Sequence, residues 1–188
     1  MDINYIVDNE NFNDDSLSIK YLTFVIDKNL FAVPISDVEQ IVSMQEIVSV
    51  PEYPEYIKGV INMRGRIIPV IDVRLRLGKE QKDYENMTCI IIVNVNSQQV
   101  GFIVDRVSEV TNIPYNMISA PPQGFAKDDV NSYLIGIAEQ EEHVILIIDS
   151  DKIVYEDDKA VMFDWFWLLL LFRFTAILLV NRNFFVFL

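Results

Sequence analysis

The sequence predicts an all-β barrel or sandwich and not an α/β sheet. Two observations carry this. Short apolar runs recur along the chain, and clusters of Gly, Pro, Asn, Asp and Ser separate them at regular spacing. A third sets the scale: with 188 residues, 51% of them apolar, the chain can bury the core of one ordinary domain or two small ones.

The elements follow in order. Residues 1–18 read as a disordered acidic tail, because Asp, Asn and Glu dominate without a period. Residues 19–27 and 30–33 predict a hairpin across Lys28 and Asn29. Pro34 ends its second strand, since proline cannot donate to a ladder. Ser36 then serves as an N-cap, and Ile35, Val38, Ile41 and Val42 share one helical face, so residues 36–42 predict a short amphipathic helix. Pro51 and Pro54 mark a loop. Residues 60–63 and 67–71 predict a hairpin about the basic turn Arg64-Gly65-Arg66, where Gly65 supplies a positive φ. Residues 72–77 predict a short helix stopped by Gly78, and the polar residues 79–87 a connector.

Residues 88–95 and 99–104 predict a third hairpin, across Asn96-Ser97-Gln98, and residues 105–113 continue as strand. Pro114, Pro121, Pro122 and Gly124 bracket a long loop to about residue 132. Residues 133–139 and 143–148 predict a last hairpin over Gln140-Glu141-Glu142. There is a weak internal echo: Asp72, Asp105 and Asp149 each follow an apolar strand. Two related barrels and the turn preference of Asp account for it equally well.

Charge narrows the function classes. The net charge is −13, which argues against general binding to a phosphate backbone. The distribution is uneven, however. Residues 58–82 hold Lys58, Arg64, Arg66, Arg74, Arg76, Lys79 and Lys82 against only Asp72 and Glu80. That stretch predicts either a binding face for an acidic partner or a solvated hairpin edge kept soluble by arginine. Cys89, the only cysteine, excludes an intrachain disulfide and suits a reducing compartment; it sits in an apolar strand as a buried, inert thiol. His143 is the only histidine and has no cysteine or second histidine to complete a zinc site. No nucleophile–base pair, phosphate loop or metal cluster appears, so no catalytic, cofactor or metal residue is predicted. The acidic, Asn-rich residues 1–18 do not form a secretory leader.

Three blocks carry a family resemblance. The first runs from Tyr56 to Gly65 through Gly59, Asn62 and Arg64, and is followed by Pro69, Asp72 and Arg74. The second is Gly101-Phe-Ile-Val-Asp105-Arg106. The third is Tyr133-Leu-Ile-Gly136-Ile137 with residues 144–149. In this order and spacing they resemble the CheW family of bacterial chemotaxis coupling proteins over residues 19–155.

The resemblance implies a fold of two small five-stranded β-barrels packed together, with short helices. It implies an adaptor without catalytic activity, cytoplasmic, held at receptor arrays on the inner face of the membrane. Its partners would be the histidine kinase CheA and methyl-accepting chemotaxis receptors, with no nucleic acid. Arg64 matches the family's coupling arginine; its fork can bind a partner carboxylate or carbonyls, or brace the hairpin against Asp72. Val38 matches an apolar contact position, and Gln40 stands where the family often has Glu. Arg66 and Asn62 complete the partner-facing set, and the place of Asn62 beside the turn favours a bond to the turn's backbone over a partner contact. Gly59, Gly65, Pro69, Asp72, Arg74, Gly101, Asp105 and Gly136 are the architectural set.

The end of the chain departs from the family. Nine of residues 160–188 are Phe or Trp, after an acidic flank at 156–159. Residues 156–188 therefore form an atypical hydrophobic tail with three readings. A membrane anchor needs roughly 20 apolar residues, and Asp164 and Arg173 interrupt this run. The others are a tail packed on the barrels or a partner, and a non-native extension. Besides the adaptor, two alternatives stand: a membrane-tethered adaptor, and a nucleic-acid-binding small barrel using residues 58–82.

Overall fold

The computed structural model describes residues 18–121, 133–140 and 143–155. Residues 1–17 of the tail expected over residues 1–18, the loop residues 122–132, Glu141, Glu142 and the hydrophobic residues 156–188 lie outside the described residues, while Ser18 already begins a strand.

Eleven strands are described: β1 (Ser18–Ile26), β2 (Asn29–Pro34), β3 (Val38–Ser43), β4 (Ile57–Met63), β5 (Arg66–Asp72), β6 (Cys89–Val95), β7 (Gln98–Val104), β8 (Arg106–Pro114), β9 (Ile118–Ser119), β10 (Leu134–Gln140) and β11 (His143–Ile148). Two short helices follow the last hairpin of each half, α1 (Val73–Arg76) and α2 (Ser150–Tyr155). The strands form two sheets, one ordered β8-β1-β2-β11-β10-β9 and the other β3-β6-β7-β5-β4. The all-β, two-part architecture expected from sequence is present. The first sheet holds six strands, not five, because the two-residue β9 joins it.

Three local expectations are corrected. Residues 36–42 are not a helix: a 3-10 turn at Ile35–Asp37 runs straight into β3. Ser36 is not a cap; Pro34 holds that position, and the Ser36 hydroxyl donates to Asp37 Oδ1 at 3.1 Å. Residues 38, 40 and 42 are half-buried while 39, 41 and 43 are exposed, which is the period of a strand. The edge of β6 supplies the ladder that makes the strand win. Residues 105–113 do not simply continue β7: the chain breaks at Asp105, and β8 crosses to pair with β1 in the other sheet. The long loop after Pro114 begins with a 3-10 turn at Tyr115–Met117 and β9.

One hairpin of each sheet repeats the other in register. Hairpin β4–β5 with α1 matches hairpin β10–β11 with α2 at the 77-residue separation of Arg76 and Ile153. Tyr56 falls on Tyr133, Gly59 on Gly136 and Asp72 on Asp149. Both hairpins carry the same register step, at Ile57/Gly59 and at Leu134/Gly136. In both, the inner strand pairs in parallel with a hairpin from the other half: Val70 with Gly101, and Ile147 with Ala32. The Asp72 amide donates to Tyr56 O at 2.7 Å, and the Asp149 amide to Tyr133 O at 2.8 Å. The echo noted at Asp72 and Asp149 is thus a structural repeat; Asp105 is outside it. The halves are interleaved, because β1–β2 and β8 share one sheet while β3 and β6–β7 share the other.

This interleaving places the main core between the sheets. Leu22, Phe24 and Phe31 from β1–β2 pack there against Ile91, Val93 and Phe102 from β6–β7. Phe24 and Phe31 stand opposite each other, ring centroids 6.1 Å apart. Each sheet also wraps a smaller core, around Tyr21, Ile113 and Ile145 in one and Ile61, Ile90 and Ile103 in the other. Strands β1, β6 and β7 are buried on both faces, so they read as unbroken apolar runs without alternation.

Candidate functional site

The β4–β5 hairpin turns on two residues, Arg64 (φ 53°) and Gly65 (φ 84°). Paired left-handed residues form the turn whose twist matches that of the flanking strands. Gly65 takes this conformation freely; Arg64 takes it at some steric cost, offset by the turn's own bonds. Asn62 Oδ1 accepts from the Gly65 amide at 2.9 Å, so Asn62 satisfies the turn as its position predicted. Arg64 is therefore displayed at a rigid, exposed tip. Among the described residues no ion pair joins it to Asp72.

Asp72, the alternative internal partner for Arg64, is engaged with other groups. It is 3% exposed and caps α1, accepting from the Leu75 amide at 3.2 Å and from the Tyr84 hydroxyl at 3.0 Å. Burial, then the Asp72 charge and this bond, hold the Tyr84 hydroxyl well above the ordinary phenol range.

The basic stretch does not form one face. Arg74 and Arg76 are buried. Arg74 reaches Asp105 with two guanidinium nitrogens, Nε at 3.2 Å from Oδ1 and the other on Oδ2. That bond, more than any other influence, holds the Arg74 guanidinium above its ordinary value. Asp105 Oδ2 also accepts from the Asp27 amide at 2.7 Å, so Asp105 ties α1 to the β1–β2 turn. Arg76 lies over the Tyr56 ring at 4.4 Å and the Tyr133 ring at 5.0 Å. Lys82 pairs with Glu85 at 2.7 Å. What remains exposed near the tip is Arg64 and Arg66, the latter 3.9 Å from Glu39.

Strand β3 lies alongside this hairpin. Val38 is half-buried and packs on the core between the sheets. Gln40 turns inward, its amide 3.8 Å from Met63 Sδ. Glu39 holds the exposed side with Arg66 and Gln99. Ile41 and Ile67 add exposed aliphatic surface, at 45% and 49%. Sequence reasoning missed these two; Ile41 was assigned to the apolar face of a helix that does not form.

The architectural residues occupy distinct places. At Gly59 (φ 135°) a Cβ would stand 2.1 Å from Val48 O, because Val48 bridges to Val60 on that side. Pro69 precedes the stretch of β5 that pairs with β7, where its missing N–H costs no bond. Gly101 lies buried in β7 against Val70 and Ile90, and Gly136 in β10 against Ile118. Cys89 begins β6 half-buried, and burial pushes its thiol up. Among the described residues no helix is long and apolar enough to cross a membrane.

An exposed rigid tip, aliphatic flanks and internally spent polar groups define a binding module built on two interleaved sheets. The family model for the CheW-like domain matches residues 20–158. The chemotaxis protein CheW of Bacillus subtilis (strain 168) is 34% identical, covering 74% of this chain and 89% of the relative. That of Thermotoga maritima is 33% identical over 72% of this chain and 87% of its own length. The solved scaffolding protein TtCheW from Thermoanaerobacter tengcongensis superimposes with a TM-score of 0.68 at 36% identity, covering 73% of this chain and 93% of that one. This chain belongs to the CheW family, a family of chemotaxis scaffold proteins.

Proposed function

We propose that this protein is a chemotaxis adaptor that couples methyl-accepting receptors to the histidine kinase CheA, acting without catalysis at receptor arrays in the cytoplasm. The observation that carries the reading is the display of Arg64 in a CheW-family chain: an exposed guanidinium on a left-handed backbone, with Asp72 engaged elsewhere. Ile41 and Ile67 supply apolar area beside it, and Arg66 with Glu39 a charged rim that sets register. Val38 supports this face from behind, and Gln40 and Asn62 hold its frame. Residues 19–155 act as the working unit.

The test is co-sedimentation of the full chain with receptor cytoplasmic tips and CheA. Arg64→Ala should weaken retention about tenfold or more, as truncation of a binding hot spot does, with little change in melting temperature. A variant that melts lower yet binds normally would make Arg64 a structural residue. The nucleic-acid alternative lost its support with the burial of Arg74 and Arg76.

A further inference from the structure

On the reading of the Arg64 tip as the docking site, we infer that Glu39 sets what it accepts: a lone partner carboxylate among apolar groups, and not a polyanion. Strand β3 carries a bulge. Val38 stands opposite Val93 and Gln40 opposite Ile92, so Glu39 is the extra residue. Such a bulge bends its strand and re-aims a side chain. With no residue across the ladder, Glu39 reaches two other strands. Its Oε1 lies 3.9 Å from Arg66 Nη1 on β5, and its Oε2 accepts from the Gln99 side-chain amide on β7. Gln99 is 60 positions away, so the fold itself aims this carboxylate at the tip.

The two arginines that flank Gly65 are therefore not equivalent. Arg66 has a carboxylate beside it, while Arg64 has no ion pair among the described residues. Two guanidinium groups and one carboxylate leave a single positive charge. The Arg66–Glu39 pair is exposed on both sides and adds little stability. Its effect is on choice. Two uncompensated cations at a rigid tip attract any polyanion, whereas the Glu39 carboxylate cancels one of them and repels a second anionic group. Ile67 follows Arg66, and Ile41 lies two residues beyond Glu39; both are exposed. One free guanidinium in such surroundings suits one carboxylate, which its fork binds through two parallel N–H bonds.

Elution of the full chain from immobilised heparin, beside the co-sedimentation assay, tests this. Glu39→Gln keeps the size of the side chain and frees Arg66, so it should elute at a higher salt concentration than the unaltered protein. Glu80→Gln, at an exposed residue of the connector, changes the net charge equally and should elute with the unaltered protein. Adding Arg66→Gln to Glu39→Gln should cancel the gain. Glu39→Gln should meanwhile hold receptor tips and CheA within about fivefold of the unaltered protein, the scale of an exposed pair. Elution of Glu39→Gln together with Glu80→Gln overturns the inference, as does a gain that persists in the double variant. A larger loss of co-sedimentation in Glu39→Gln also overturns it, since Glu39 would then be a partner contact. Should Arg64→Ala leave co-sedimentation intact, the docking site itself falls, whatever heparin shows. Where Arg64→Ala weakens it and heparin does not discriminate, only the role of Glu39 falls.

Discussion

The β4–β5 and β10–β11 hairpins share a backbone and differ in what they hold out. Their bases are alike: a Tyr carbonyl takes an Asp amide, and that Asp caps a short helix in each. Their tips diverge. Asn62, Arg64 and Arg66 on the first have Glu139, Glu141 and His143 as counterparts in sequence. The base is where the fold is made, so its side chains are spent internally in both copies. The tip of the first hairpin leaves Arg64 exposed, while Asn62 serves the turn and Arg66 lies near Glu39.

The comparison breaks most severely at the paired glycines. Gly59→Ala drives a Cβ into the Val48 carbonyl in a left-handed conformation, and should cost about 3 kcal/mol or more by thermal or urea unfolding. Gly136→Ala overlaps the Ile118 Cγ2 at 2.4 Å, a side-chain end that can shift, with Ser119 O at an ordinary 3.5 Å, and should cost about 1 kcal/mol. Equal losses would mean that Ile118 is as immovable as backbone.

The paired caps come next. Asp72→Ala removes a helix cap and the acceptor of the half-exposed Tyr84 hydroxyl, for about 1–2 kcal/mol. Asp149→Ala removes a cap alone, for about 1 kcal/mol. Tyr84→Phe should lose about 1 kcal/mol at pH 7. Tyr84 has a raised pKa in the folded state, so the native protein holds its proton more tightly than the unfolded chain does. The stability it contributes is complete below the ordinary value of 10.0 and fades as pH rises above it. The gap between protein and variant should therefore narrow in alkali; a constant gap across pH would remove the Tyr84–Asp72 bond from the account.

The smallest change in stability belongs to the tip. Arg64→Ala should shift unfolding by no more than about 0.5 kcal/mol, while coupling in the co-sedimentation assay falls.

Much of this was legible before any coordinates. The turn at Arg64-Gly65 and the stop at Gly78 depend on residues within a few positions of one another. Asn62 was read as the satisfier of its turn for the same reason. The helix expected at residues 36–42 failed because Ile35, Val38, Ile41 and Val42 fit a helical face as well as a strand, and only the edge of β6 discriminates. The repeat stayed hidden because few residues beyond Tyr, Gly and Asp coincide between the hairpins. What repeats is register, which sequence identity does not display.

The sequence by itself determined the hairpins, their turns and the guanidinium at the tip, since two-residue turns and strand alternation are local properties of the chain. Only the tertiary structure decided which arginines reach solvent. Arg74 finds Asp105 31 positions away and Arg76 finds Ile153 77 positions away. A charge count over residues 58–82 cannot see such partners. Burial depends on which distant strands pack together, and here each half of the chain completes the sheet of the other.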